Sequence, residues 1–207
     1  MYQDGEFSAY RRHPWHGLDA MPKGADEGIV QAYIEMLPSD TVKYELDKDT
    51  GFLMVDRPQR TTATPPALYG FIPRTYCAEE VAKRCEHAEE ADGDPLDICI
   101  YSERLIDRAD ILLHARVVGG IQMIDDGEAD DKIIAVLAED QIYDYKDISE
   151  VPEALLKRLK HYFLTYKINP AKMDDKPEIE IAATYGRVEA MEVVKRSKTD
   201  YNTKFSK

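Results

Sequence analysis

The sequence predicts a single α+β domain built on a small antiparallel β-barrel. Strand-like runs follow one another along the chain, whereas the clear helical patterns come late, an order typical of the α+β class. The chain has 207 residues, 43% of them hydrophobic, enough for one good-sized core or two small ones. No repeat or low-complexity linker divides it. We therefore treat residues 1–207 as one domain, in which residues 1–28 form an N-terminal arm that packs through Trp15.

The strands are predicted from alternating or continuous apolar runs. The run TVKYEL alternates Val42, Tyr44 and Leu46 with Lys43 and Glu45, which is typical of a half-buried strand. The turn-like sequence DKDTG separates it from GFLMVDR, which predicts that the two runs form a hairpin. Four further strands are predicted at LDICIY, ILLHARVVGGIQMI, KIIAVLA and EIEIAAT.

Two helices are predicted in the second half of the chain. The first lies in PEALLKRLKHYFLTYK, where Pro152 suits the first turn. Its apolar side chains share one face at helical spacing: Leu155, Leu159, Tyr162, Phe163 and Tyr166. The second helix covers about 187–199. Residues 78–91, AEEVAKRCEHAEEA, form either a short helix or an acidic surface insert.

The charge of the chain limits its partners. It carries 40 acidic and 27 basic side chains, for a net charge of −13. Such a protein repels the phosphate backbone, so nucleic-acid binding through a broad basic patch is disfavoured. An anionic ligand would need a local reversal of the field, and divalent cations held by carboxylates would provide it.

The same sequence carries no signal for a membrane or an oxidising compartment. No apolar run approaches the roughly 18 residues of a membrane-spanning helix, and MYQDGEFSAYRRHPWHG lacks the apolar core of a signal peptide. The cysteines Cys77, Cys85 and Cys99 are odd in number and contain no CxxC pair. We therefore expect a cytoplasmic protein in a reducing compartment, without membrane contact.

Two acidic segments are candidate metal sites. In EEADGDPLDICIY, Asp92, Asp94 and Asp97 precede a predicted strand; a solvated turn is the alternative reading. In QMIDDGEADDKIIAV, Asp125 closes one strand and Asp130 lies near the start of the next, so a hairpin loop would bring both carboxylates to one cation. A solubilising acidic turn is the alternative there.

The residue types indicate which metal would bind. Neither DKDTG nor DDGEADD has the ligand and glycine spacing of an EF-hand or its two flanking helices, which excludes that calcium site. Carboxylates without paired His or Cys favour hard cations such as Mg²⁺ or Mn²⁺ over zinc. His13 and His16 have no defensible metal-site spacing.

Basic and tyrosine side chains accompany the carboxylates. Taken singly, Lys43 and Arg57 have ordinary surface explanations, Lys167 suits a helix C-terminus, and Tyr166 suits a core. Taken together with several carboxylates, they suit a phosphate compound held between metal ions and cationic groups.

In this order, the strings VKYE, VDR, YGFIP, DGDPLD, DDGEADDK and HYFLTYK resemble the soluble family I inorganic pyrophosphatases. The match runs from about Tyr33 to Lys167. The resemblance implies an OB-like five-stranded barrel flanked by helices. It also implies hydrolysis of pyrophosphate to two phosphates with several Mg²⁺ ions, which Mn²⁺ or other divalent metals can replace, driving pyrophosphate-releasing biosynthesis forward.

The resemblance assigns roles position by position. Asp94 matches the residue that accepts a proton from the attacking water, without a phosphoenzyme. The principal metal ligands would be Asp92, Asp97, Asp125 and Asp130, with Asp97 bridging two ions. Glu35 in YIEM and Glu45 in KYE would serve further metals. The phosphate-binding groups would be Lys43, Arg57, Tyr166 and Lys167. Tyr69 matches an active-site tyrosine, and Lys132 matches the lysine that closes the acidic loop.

Some features depart from the family pattern or stay open. Pro65 stands where many members carry a tyrosine, and the stretch 75–91 is longer than in compact members. Lys172 and Lys176 both compete for one further phosphate-facing position. The resemblance implies a homo-oligomer, a hexamer or a dimer. Two other functions remain open: a phosphohydrolase acting on a nucleotide or organic diphosphate, and a non-catalytic OB-type binding module.

Overall fold

The computed structural model describes residues 12–171 and 178–205. The described residues form β1 (Ile29–Met36), β2 (Val42–Leu46), β3 (Leu53–Pro58), β4 (Leu68–Phe71), β5 (Glu90–Ala91), β6 (Asp97–Tyr101), β7 (Ile111–Asp125), β8 (Glu128–Ala129), β9 (Lys132–Leu137) and β10 (Ile179–Gly186). The helices are α1 (Glu79–Ala82), α2 (Glu153–Thr165) and α3 (Arg187–Phe205), with a 3-10 turn at Ile148–Glu150. All predicted strands and both predicted helices are present.

The strands form one large sheet and one separate hairpin. The large sheet has the order β1-β4-β6-β9-β7-β8-β5, with β10 paired to β7 and a further pairing between β1 and β7. The predicted hairpin is confirmed as β2 and β3, which pair antiparallel with Lys43 opposite Arg57. The α+β class is therefore confirmed.

The prediction of an antiparallel sheet is wrong in one respect, because the sheet is mixed. Strands β6 and β9 pair parallel, with Asp97 opposite Lys132, and β5 pairs parallel with β8. Parallel neighbours need a long crossover connection, and residues 102–131, which include the long strand β7, provide it here. The parallel pairing places the first residue of β6 beside the first residue of β9.

The central strands bury both of their faces. In β6, Ile98 and Ile100 pack in a core shared with α3, whereas Cys99 and Tyr101 pack in a second core shared with α2. Successive strand side chains point to opposite faces, so one apolar run serves both cores. This explains why LDICIY and KIIAVLA are continuous apolar runs.

Helix α2 and the segment before the first acidic loop follow from the sequence patterns. Helix α2 follows Pro152 directly and buries Leu159, Tyr162 and Phe163; burial of each such side chain contributes about 1.5–3 kcal/mol. Of the two readings of residues 78–91, the short helix is present as α1, and the same segment also contributes β5.

Helix α3 extends to Phe205, beyond its predicted end near 199. The rings of Tyr201 and Phe205 lie 6.3 Å and 5.3 Å from that of Trp15 in the N-terminal arm. Tertiary packing therefore sustains a last turn for which the local sequence has no strong preference. Trp15 is buried, and its indole N–H donates to the carbonyl oxygen of Thr75 at 2.8 Å.

Candidate active site

A cavity of about 270 Å³ opens where the ends of β6 and β9 meet the β2–β3 hairpin and α2. Every residue to which we assigned a role from sequence lines it, except Arg57. Lys48, Glu128 and Tyr162 line it as well. The lining residues with assigned roles are Glu35, Lys43, Glu45, Tyr69, Asp92, Asp94, Asp97, Asp125, Asp130, Lys132, Tyr166 and Lys167.

The first acidic loop reaches the cavity through a backbone turn that hydrogen bonds to Cys77 hold in place. Gly93 has φ of 71°, a left-handed conformation that glycine adopts without steric cost. Its N–H donates to the carbonyl of Cys77 at 3.1 Å, and the Cys77 N–H donates to the carbonyl of Asp94 at 2.8 Å. Leu96 is fully buried. The turn therefore anchors its apolar residue in the core and leaves the aspartate side chains at the cavity.

The second acidic loop turns between β7 and β9. Asp126 and Gly127 have φ of 51° and 91°, values that Asp and Gly tolerate better than most residues. The loop closes where the Asp130 N–H donates to the carbonyl of Met123 at 3.0 Å. The predicted convergence of Asp125 and Asp130 is thus present in the sense that both line one cavity, and both are buried.

Four lysine side chains form ion pairs with carboxylates of the cavity. The ammonium of Lys132 donates to both Asp97 and Asp130. It lies 5.9 Å from the ring centre of Tyr69 and 5.7 Å from that of Phe163. The remaining pairs are Lys167 with Asp125, Lys48 with Asp94, and Lys43 with Glu45.

The negative charge in the cavity exceeds what these lysines neutralise. Burial raises the pKa of Glu35 to about 8, although the Leu46 N–H donates to its carboxylate at 2.7 Å. Burial, with the nearby Asp130 carboxylate, raises the pKa of Asp92 to about 9. Burial also raises the pKa of Asp97, against the opposing charge of Lys132. Clustered carboxyls with raised pKa values are the expected result of burying more negative than positive charge.

The lysine and tyrosine at the centre keep their protons. Burial alone would lower the pKa of Lys132, but the carboxylates of Asp130 and Asp97 outweigh it and hold the pKa well above its ordinary value. Burial raises the pKa of Tyr69 well above its ordinary value, and its hydroxyl donates to Asp97 at 2.5 Å. Both groups are therefore hydrogen-bond donors in the cavity.

The chemistry of the cavity fits a hard divalent cation. Its donors are carboxylate oxygens, the ligands that Mg²⁺ and Mn²⁺ prefer, and Oδ1 of Asp125 is buried without a hydrogen-bond partner among the described residues. Within the described part of the chain, no three Asp, Glu, His or Cys side chains are arranged to hold one metal as they stand. Lysine ammoniums lie between the carboxylates instead, and a cation would have to displace them.

Four residues singled out from the sequence are not among the described residues that line the cavity: Arg57, Pro65, Lys172 and Lys176. Arg57 pairs with Asp56, whose Oδ2 lies 3.3 Å from Nζ of Lys43, so Arg57 is one side chain away from the cavity. Pro65 is buried and lines a separate depression that borders Tyr162. Lys172 and Lys176 lie outside the described residues.

The sequence patterns also missed two charged residues of the site. Lys48 lies in DKDTG, which we interpreted only as a turn, yet its ammonium bonds to Asp94 across 46 positions of the chain. Glu128 lies in the second acidic loop, and only the pairing of β8 with β7 and β5 directs that part of the loop. The one sequence feature that could have identified Lys48 is its position as the basic residue of the otherwise acidic turn DKDTG.

Comparison with known proteins agrees with this arrangement. A family model described as inorganic pyrophosphatase matches residues 32–202. The chain belongs to the soluble family I inorganic pyrophosphatases, and thus to the hydrolases. An inorganic pyrophosphatase of Chlamydia muridarum is 47% identical over 197 residues, covering 91% of this chain and 93% of the relative. The soluble inorganic pyrophosphatase 2 of Chlamydomonas reinhardtii is 38% identical over 190 residues, with 91% and 88% covered.

A solved structure of the family has the same fold. The inorganic pyrophosphatase from Thermus thermophilus superposes with a TM-score of 0.76 at 32% identity, covering 93% of this chain and 99% of that chain. In the part of this pyrophosphatase-family chain that the structure describes, we find no helix with the length and apolar character needed to span a membrane.

Proposed function

We propose that this chain hydrolyses inorganic pyrophosphate to two phosphates with bound Mg²⁺, by direct attack of a water molecule for which Asp94 is the general base. One observation carries the proposal: carboxylates from two separate acidic loops share a cavity with lysines that pair with them one by one. Such a cavity suits a polyanionic phosphate bridged to the protein by metal ions. Mn²⁺ or another divalent metal is expected to substitute.

The carboxylates divide into metal ligands and one base. We assign Asp92, Asp97, Asp125 and Asp130 as principal ligands, with Glu35 and Glu45 serving further ions. When bound, the metal ions lower the pKa of water and neutralise phosphate charge.

Asp94 differs in its surroundings from the inner ligands Asp97 and Asp130. Its side chain is 47% exposed and pairs with the half-exposed Lys48, whereas Asp97 and Asp130 are at most 19% exposed and both bond to the buried Lys132. A carboxylate at the open side of the cavity is accessible to water and can take its proton.

The lysines act as counter-ions that can change partners. Without ligand, Lys43 and Lys167 neutralise Glu45 and Asp125. We infer that they turn to the phosphates when metal ions take over those carboxylates, with Tyr166 donating a further hydrogen bond and Arg57 reaching the phosphate from the cavity edge. Phosphoryl transfer depends mainly on such positioning and charge neutralisation.

The absence of a hydroxyl or thiol nucleophile from the described lining supports the proposed direct attack by water. Among the described lining residues there is no serine, threonine or cysteine, so no such side chain is available to form a phosphoenzyme. A reaction that splits pyrophosphate in one step would draw pyrophosphate-releasing biosynthetic reactions forward.

The finer points of fold and setting belong to the same proposal. We infer an OB-like barrel of five strands because the pairings run from β1 through β4, β6, β9 and β7 and return to β1. Cys77, Cys85 and Cys99 are all free and buried, which suits a cytoplasmic, reducing compartment. A homo-oligomer, hexamer or dimer, remains a prediction that sedimentation would test.

The proposal is tested by phosphate release. Pyrophosphate and ATP are supplied in turn, with and without Mg²⁺, and we expect rapid release from pyrophosphate only when a divalent metal is present. No release from pyrophosphate under any divalent metal would refute the proposed activity. Faster turnover of ATP than of pyrophosphate would favour an organic diphosphate as the substrate.

Replacing Asp97 with Ala is expected to weaken Mg²⁺ binding as well as turnover. Asp97 begins β6 opposite Lys132 and bonds to both Lys132 and Tyr69, so its loss removes the carboxylate at the centre of the site. We expect the Mg²⁺ concentration for half-maximal rate to rise at least about tenfold. Asp126→Asn, a change at an exposed aspartate of the second loop, is the matched control. An unaltered Mg²⁺ dependence in Asp97→Ala would contradict the bridging role.

A further inference from the structure

Residues 79–91, which precede the first acidic loop, pack against the side of the second acidic loop that faces away from the cavity. We propose that residues 79–91 position the second acidic loop through a buried cluster formed by Arg84, Asp131 and Tyr185, here termed the rear cluster. This inference rests on the proposed function, because the loop it positions carries the assigned metal ligands Asp125 and Asp130. It gives a role to the Glu-rich stretch that the family resemblance leaves unexplained.

The backbone of the segment is attached to the loop at several points. Strand β5 pairs parallel with β8 inside the loop, and the Glu89 N–H donates to the carbonyl of Gly127 at 3.0 Å. The amide of Gln122 on β7 donates to the carbonyl of Arg84 at 3.1 Å. Cys85 packs with apolar residues at both ends of the loop, Ile124 and Ala129. The segment and the loop therefore form one packed unit.

Within the second acidic loop, Asp131 points away from the cavity, toward Arg84 and Tyr185. It is 1% exposed, does not line the cavity, and accepts a hydrogen bond from the hydroxyl of Tyr185 on β10. Burial holds the pKa of Tyr185 well above its ordinary value, so the hydroxyl stays a donor. The ring of Tyr185 fits against Gly120, where a Cβ would lie 2.4 Å from a ring atom. The close packing against Gly120 therefore fixes the position of the Tyr185 ring on β7.

Arg84 completes the rear cluster without touching Asp131 directly. Its Nη1 lies 3.8 Å from Oδ1 of Asp131, beyond hydrogen-bond distance, and its guanidinium lies 5.1 Å from the ring centre of Tyr185. Nη1 of Arg84 and Oδ2 of Asp131 are both buried without a hydrogen-bond partner among the described residues. A buried donor and a buried acceptor left over in one cluster suit a bridging water molecule. Glu189 on α3, 3.7 Å from Nη2, adds a second charge partner.

The rear cluster controls the direction of its neighbours along the chain. Asp131 lies between Asp130 and Lys132, which both line the cavity. Because successive side chains of an extended chain point to opposite sides, holding Asp131 at the rear directs Asp130 and Lys132 into the site. Residues 79–91 also lead directly into Asp92. One segment therefore sets the spacing between the two groups of metal-binding carboxylates.

The test replaces the cation of the rear cluster and measures metal binding by calorimetry, without substrate. Arg84→Met is expected to weaken Mg²⁺ binding about tenfold, with kcat recovering at saturating Mg²⁺ and Arg84→Lys giving an intermediate affinity. Recovery at high Mg²⁺ separates positioning from general loss of fold. Lys83→Met, which removes an exposed lysine paired with Glu80 on the same segment, is the matched control and should bind Mg²⁺ as the wild type does.

A second pair of measurements keeps the inference testable if Arg84→Met folds poorly. Tyr185→Phe keeps the ring on Gly120 and removes only the hydroxyl that donates to Asp131, and we expect weaker Mg²⁺ binding in the same direction. In metal-free protein, amide hydrogen exchange in residues 126–131 should accelerate in both variants. Mg²⁺ affinity and loop exchange within twofold of wild type in both would overturn the role of the rear cluster. Failure of the wild type to hydrolyse pyrophosphate would instead refute the proposed function.

Discussion

Asp94→Asn is expected to fold normally and to lose most of its pyrophosphate turnover. An amide has the shape of the carboxylate but cannot take a proton from water, and a positioned general base contributes roughly 10²–10⁴-fold to the rate. The side chain is half-exposed and its only described ion pair is with the half-exposed Lys48. Pairs of this kind contribute at most about 1 kcal/mol to stability, so unfolding should be little affected.

The measurement combines phosphate release with thermal unfolding. Asp49→Asn, at an exposed aspartate in the turn of the β2–β3 hairpin, serves as control and should keep full turnover. Full activity in Asp94→Asn would show that another group takes the proton.

Lys132→Met is expected to combine a large loss of stability in the metal-free protein with loss of turnover. Lys132 is 3% exposed and bonds to both Asp97 and Asp130. Removing one partner of a buried ion pair leaves an uncompensated charge and costs roughly 3–5 kcal/mol. Mg²⁺ should restore part of the stability, because a bound divalent cation replaces the missing positive charge.

The pH dependence of this loss has a definite sign. Burial already raises the pKa of Asp97 in the folded protein, and removal of Lys132 should raise it further. The folded state then holds more protons than the unfolded chain, whose aspartates titrate near pH 4. The free energy of unfolding of metal-free Lys132→Met should therefore fall as the pH rises above about 4.

Chemical denaturation with and without Mg²⁺, at several pH values, measures these effects. Lys157→Met is the matched control, since Lys157 is an exposed residue of α2 and, within the described part of the chain, forms an ion pair only with Glu153. If metal-free Lys132→Met unfolded at the same denaturant concentration as the control, the buried carboxylates would not depend on Lys132 for neutralisation.

Local patterns were sufficient for the elements that have one distinctive period or composition. The β2–β3 hairpin and α2 are present as predicted because their alternation and their apolar stripe need no knowledge of the rest of the chain. The sequence patterns do not predict strands β1 and β4 individually. Six of the eight β1 residues are buried, so the strand does not show the alternation of apolar and polar residues that marks a half-buried strand. The sequence patterns also could not predict the mixed sheet, because contacts between residues far apart in the chain determine which strands pair and in which direction.

The sequence by itself determined the chemistry of the site: carboxylates in two short segments, lysines and tyrosines around them, and the family to which the chain belongs. Only the tertiary structure decided which groups meet. The parallel pairing of β6 with β9 brings Asp97 to Lys132, and the hairpin turn brings Lys48 to Asp94. Arg84 and Asp131 form the rear cluster for the same reason. These contacts join residues tens of positions apart, and the packing of both cores, rather than any local pattern, holds them together.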